Sequence, residues 1–124
     1  MLALRGDGSQ MRSYVWLMDA VAAYASALAD PPLGRTRTLN VASPDQISVR
    51  RVAELVAEEM GVDMPVVAGP GGRASDEAVT GGDPQKLLSL GWRPVAADSE
   101  TAVRLGVRRL LAVSRDPASK DDAR

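Results

Sequence analysis

Residues 6–21 read GDGSQMRSYVWLMDAV, and the change of character inside this stretch decides the fold class. Gly6 and Gly8 mark a loop, and Ser13 to Leu17 (SYVWL) is a β-branched and aromatic run that predicts a short strand. Asp19 is suited to cap a helix over Ala20 to Ala29, which Asp30, Pro31 and Pro32 then stop.

Outward from there the same alternation recurs. Thr36 to Val41 (TRTLNV) predicts a second strand, ending in the turn-forming ASPDQ. The clearest helix follows. Ser48 is its N-cap, Ile47 and Val52 sit at the spacing of a hydrophobic staple, Val49, Val52, Val56 and Met60 share a face, and Gly61 ends it. Met64 to Ala68 (MPVVA) predicts a third strand, and Gly69 to Gly72 a loop. Asp83 and Pro84 open a short helix over Gln85 to Leu90, closed by Gly91, with Trp92 as a packing anchor. Ser99 to Val113 predicts a last helix, with Val103, Val107, Leu110 and Leu111 on one stripe and Arg108 and Arg109 near its negative end. The order strand, helix, strand, helix, strand, helix, helix defines an α/β unit of about three short strands and four helices. One domain is expected over residues 1–113, with a flexible polar tail over 114–124.

Composition limits the chemistry. The 124 residues include no cysteine and no histidine, which removes thiol nucleophiles, disulfides, imidazole bases and the usual zinc ligands. Any chemistry must use carboxylates, Lys, Arg, Tyr or hydroxyls. Fifteen basic against sixteen acidic residues give a net charge of −1, so no footprint for nucleic acid or an anionic membrane exists. No apolar run reaches the roughly 20 residues of a membrane span, and the start lacks a signal-peptide core; a soluble, cytoplasmic chain is expected. With no phenylalanine and 3% aromatics, the core must be built from small aliphatics that bury little area each.

The stretch Gly6 to Val21 resembles the one that opens the C-terminal, substrate-side region of NAD-dependent nucleotide-sugar epimerases, 4,6-dehydratases and UDP-glucuronate decarboxylases of the extended short-chain dehydrogenase family. There a Gly-Asp-Gly-x-Gln-x-Arg loop leads into a strand and an Asp-capped helix. Three further landmarks follow in the family's order: LNVASPDQISVRRVAELVAEEMG over Leu39 to Gly61; Arg73 with Asp76, Asp83 and Lys86; and Leu90 to Pro94. The chain departs from the pattern in Met18 and Ala20 around Asp19 and in the glycine-rich loop before Arg73.

The resemblance implies that Arg12 and Arg73 grip the diphosphate of a nucleotide diphosphate sugar. A planar guanidinium pairs bidentately with phosphate oxygens and stays charged at any working pH. It also implies that Asp76 accepts from the ribose hydroxyls and that Gln10 shapes the nucleotide cleft. The plain alternatives are two solvated arginines, a turn aspartate and an exposed loop glutamine. Asn40, Asp19, Asp83, Lys86 and Trp92 are read as structural.

The family's reaction uses a Tyr with a Lys four residues on, while a nicotinamide takes a hydride. Neither tyrosine fits, because Tyr14 is followed at that spacing by Met18 and Tyr24 by Leu28. GDGSQM holds only two glycines of the dinucleotide fingerprint and precedes a strand where the motif must follow one. The expectation is a truncated relative without catalytic residues or a cofactor site of its own, NAD or NADP belonging to the complete family enzyme. Its expected partners are a nucleotide diphosphate sugar, a second copy, or a separate cofactor-binding chain. A noncatalytic oligomerisation or protein-interaction module is the alternative function.

Overall fold

The computed structural model describes residues 1–29, 34, 36–71 and 79–115. Five short strands and four helices follow in the order β1 (Leu2–Arg5), β2 (Met11–Arg12), α1 (Leu17–Ala29), β3 (Ile47–Ser48), α2 (Val49–Met60), β4 (Val66–Gly69), β5 (Val79–Thr80), α3 (Gln85–Ser89) and α4 (Ser99–Arg115). The expected α/β class and four helices are present, but the strands are distributed differently.

Two small sheets form. β1 pairs in parallel with β4, Leu2 opposite Val66. β2 lies between β3, antiparallel, and β5, parallel, so that Arg12 faces Ile47 on one side and Thr80 on the other. The strand expected over Ser13 to Leu17 is thus displaced to Met11–Arg12, and Leu17 already begins α1. Side chains take over the ladder's role there: Tyr14 N–H donates to Ser99 Oγ at 3.1 Å, and Ser43 N–H to Ser13 Oγ at 2.9 Å. Serine hydroxyls compete with backbone partners in this way. The segment expected as a strand over Thr36 to Val41 has no strand assignment either. β4 starts two residues later than expected, and β1, β3 and β5 went unread because their residues carry no period of their own.

Asp19 is not the cap of α1. It lies inside the first turn, buried, and its carboxylate accepts from Val95 N–H at 2.8 Å and Ala96 N–H at 2.9 Å. Its carbonyl accepts from Trp92 Nε1 at 2.9 Å. Trp92 joins Ala23 and Leu87 in the core, with Val15, Leu39 and Leu88 packed around them. One residue of α1 therefore holds the whole 92–96 connector.

α2 begins as expected, with Ser48 Oγ accepting from Arg51 N–H at 3.1 Å, and ends at Gly61 in the left-handed region at φ 67°. Its buried residues are Ala53, Leu55 and Ala57, while Met60 is exposed, so the expected Val49-Val52-Val56-Met60 face is not the one that is buried. The apolar stripe of α4 is corrected at one position too: Leu110 is exposed.

Ions join α2 and α4 across their outer side. Arg104 donates to Glu59 at 2.9 Å, to Glu58 at 2.6 Å and to Glu100 at 2.9 Å; Arg51 reaches Glu58 and Glu100 at 2.8 and 3.0 Å; Arg108 reaches Glu59 at 2.6 Å. Arg108 and then Arg104 hold the Glu59 carboxyl down to about 2 from an ordinary 4.5. Glu58, through Arg104 and Arg51, and Glu100, through Arg51 and Arg104, are lowered as well. Among the described residues no helix is long and apolar enough to cross a membrane.

These depressed carboxyl values give stability that is present above about pH 4.5 and is lost as pH falls toward 2, because the unfolded chain takes up the protons first. Thermal melting followed by circular dichroism between pH 7 and 2.5 should show the midpoint falling through this window. Glu59→Gln should flatten that fall; an unchanged acid profile in the variant would remove the network from the explanation. Asp19→Asn should lower stability by about 1.5–3 kcal/mol, the range for hydrogen bonds to a charged group, as read by urea titration.

Candidate functional site

The loop before β2 is built on two glycines in the left-handed region, Gly6 at φ 79° and Gly8 at φ 76°. Between them Asp7 Oδ1 accepts from Ser9 N–H at 2.9 Å and Ser9 Oγ at 2.7 Å, and the Ser9 N–H and hydroxyl lower its pKa. Gly8 and Gln10 turn their carbonyls onto the first turn of α2, accepting from Arg50 N–H at 2.9 Å and Val49 N–H at 3.0 Å. Arg50 completes the fastening. Its guanidinium donates to Asp7 O through Nε and Nη2 and to Val66 O through Nη1, which ties the loop to β4. No sequence signal marked Arg50, because a backbone-bridging arginine has no spacing pattern.

The fastened loop delivers Arg12 to the middle of the β3-β2-β5 sheet. A groove of about 320 Å³ opens there, lined by Arg12, Ser13, Leu39 to Ala42, Gly81 and Gly82. Gly82 lies against Asn40, since a Cβ built on it would come within 3.4 Å of the Asn40 Cβ. Asn40 Nδ2 in turn donates to Asp83 O at 3.2 Å. Arg12 Nη1 donates to Met11 O at 2.8 Å. Burial raises the pKa of Tyr14, and the Arg12 charge pulls it the other way.

A second set of polar groups follows directly after Ala42. Asp45 Oδ1 accepts from Ser43 Oγ at 2.6 Å and from Ser99 N–H at 2.8 Å, and the Asp45 carbonyl accepts from Ser99 Oγ. Burial alone would push the Asp45 carboxyl up; the donors from Ser43 and Ser99 outweigh it and keep the value low. The loop at residues 43–45 and the start of α4 meet at this carboxylate.

Of the residues expected to bind substrate, Arg12 and Gln10 lie two apart on the described chain; Gln10 is half-buried and its carbonyl contacts α2. Arg73 and Asp76 lie outside the described residues. At the start of α2 the first N–H groups are taken up by Gly8 O, Gln10 O and Ser48 Oγ. A pyrophosphate needs such groups left open.

The architecture resembles part of the nucleotide-sugar epimerase fold. Over 98 residues, 78% of this chain and 30% of the other, the sequence is 34% identical to UDP-glucose 4-epimerase of Corynebacterium glutamicum. The crystal structure of UDP-glucose 4-epimerase from Thermotoga maritima, solved with UDP-glucose, superposes on 92% of this chain and 36% of its own, with a TM-score of 0.75 and 26% identity. The Thermus thermophilus UDP-glucose 4-epimerase, solved in complex with NAD, matches 89% of this chain and 34% of its own, with a TM-score of 0.69 and 29% identity. No protein-family model matches the chain. Sequence and fold together relate the chain to the UDP-glucose 4-epimerase group of nucleotide-sugar epimerases, over about a third of their length.

Gly8 is the position where the loop tolerates least. An added Cβ would collide with Leu4 Cδ1, crowd Arg50 Cβ at 3.0 Å, and adopt a left-handed φ. Gly8→Ala should cost about 1–2 kcal/mol from the backbone conformation alone. A melting midpoint equal to that of the unsubstituted chain would show that the loop relaxes freely.

Proposed function

We propose that this chain forms the diphosphate-gripping side of a nucleotide-diphosphate-sugar cleft of the 4-epimerase type, and that its own residues hold the substrate without transforming it. The observation that carries this reading is Arg12, held in a three-stranded ladder and lining a groove that Gly81 and Gly82 line as well. A guanidinium in a groove that glycines also line suits a phosphate, which a planar fork of donors can hold bidentately. Arg73 and Asp76 precede β5 in sequence, and β5 is the strand that lies beside Arg12. In this reading Arg73 supplies the second guanidinium, Asp76 accepts from the ribose hydroxyls, and Gln10 supports the loop.

The relatives favour 4-epimerases over dehydratases and decarboxylases as the reaction type to which the cleft belongs. The hydride acceptor and the proton-exchanging pair then come from polypeptide other than these 124 residues, since neither Tyr14 nor Tyr24 has a Lys four positions on.

Calorimetric titration with UDP-glucose should show weak binding, and Arg12→Ala should weaken it by at least tenfold, one guanidinium–phosphate pair being worth about 1.5–3 kcal/mol. Arg73→Ala should do the same. Absence of heat at millimolar ligand, or equal affinity in the Arg12→Ala/Arg73→Ala chain, would falsify the assignment.

A further inference from the structure

The ladder that holds Arg12 stops with it, and the next two residues, Ser13 and Tyr14, are held by side chains instead. Ser13 Oγ accepts from Ser43 N–H at 2.9 Å and donates to Ser43 O at 3.3 Å, while Tyr14 N–H donates to Ser99 Oγ at 3.1 Å. Ser43 Oγ and Ser99 N–H converge on one atom, Asp45 Oδ1, at 2.6 and 2.8 Å, and Ser99 Oγ donates to Asp45 O at 3.3 Å. These bonds close a ring that runs from Ser13 through Ser43, Asp45 and Ser99 back to Tyr14.

A serine hydroxyl rotates to suit whichever partner is nearest, so the three serines alone define no spacing. A carboxylate oxygen that takes two donors at once does define one, because charge-assisted bonds are short and strong. Ser43 and Ser99 are buried, where a bond left unmade costs more than it does in water. Ser13 and Ala42 both line the groove that contains Arg12, and Ser43 follows Ala42. The Ser13–Ser43 pair therefore joins the two stretches of chain, 12–13 and 39–42, between which a ligand would lie.

We infer, resting on the reading of this groove as the diphosphate site, that Asp45 is a positioning residue for Arg12. By fixing Ser43 and Ser99 it sets the span between Arg12 and the 39–42 side of the groove, and with it the affinity for the diphosphate. Asp45 is not among the residues that line the groove, so it acts through others. Its charge and its position pull in opposite directions. Removing a carboxylate near an anion site favours the anion by electrostatics alone, whereas removing a positioning group disfavours it.

UDP-glucose affinity, read by ligand-observed NMR, should fall about three- to tenfold in Asp45→Ala, since small misplacements of a binding group are costly. Asp45→Asn, whose amide oxygen accepts the same two bonds, should bind as well as the unsubstituted chain. Ser43→Ala opens the ring at one bond, keeps every charge and should weaken binding as Asp45→Ala does, so it carries the test where Asp45→Ala melts too early. In the Arg12→Ala chain, Asp45→Ala should cost nothing further, because residues that act through one another are not additive; a general loosening of the fold would cost the same factor in both backgrounds. Affinity in Asp45→Ala at or above that of the unsubstituted chain, or an equal loss with and without Arg12, overturns the inference and leaves the diphosphate site standing. Undiminished binding in Arg12→Ala removes the site itself, and the inference with it.

Discussion

The structure depends on one buried carboxylate. Asp19 sits where α1 has just begun, and its two oxygens take the N–H groups of Val95 and Ala96 while its own carbonyl takes the Trp92 indole. A buried charge is tolerated only when it is hydrogen-bonded, and here the bonds join residues more than seventy positions apart. Trp92 is thereby fixed against Ala23 and Leu87. In a chain without phenylalanine, that single large ring contributes more buried area than any other core residue, so the polar clamp and the apolar core are one device.

The helices were legible in the sequence and most of the strands were not. Ser48 and Gly61 bound α2 because capping is local chemistry, satisfied by groups within a turn. Asp83 holds Gln85 N–H, but the cap position of α3 is Pro84 and not the expected Asp83. The two-residue strands β2, β3 and β5 exist through pairing with distant chain, and a pair such as Met11–Arg12 has no period to read. Asp19 shows the limit from the other direction. An aspartate next to a helix start reads as a cap, but its partners lie far along the chain and nothing in its neighbours announces them.

Much the same division runs through the candidate site. Arg12 was found from the order of landmarks along the chain, not from any property of the arginine itself. The groups that hold it in place, Arg50 on Asp7 and Val66, and Asp45 between Ser43 and Ser99, left no signal. Most of these bonds involve backbone atoms, which every sequence possesses. A motif can therefore name the group that touches a ligand while remaining silent about the scaffold that aims it.

The ionic lattice between α2 and α4 has a consequence for how this unit could be built into anything larger. Glutamates and arginines in mutual contact have already met one another's hydrogen-bonding demands, so covering them with a neighbour offers little gain and forfeits hydration. The molecule thus has a wet flank and, along α1, where Leu17, Tyr24 and Leu28 are exposed, a dry one. Any assembly that includes it would be oriented by that asymmetry alone, before any specific contact is formed.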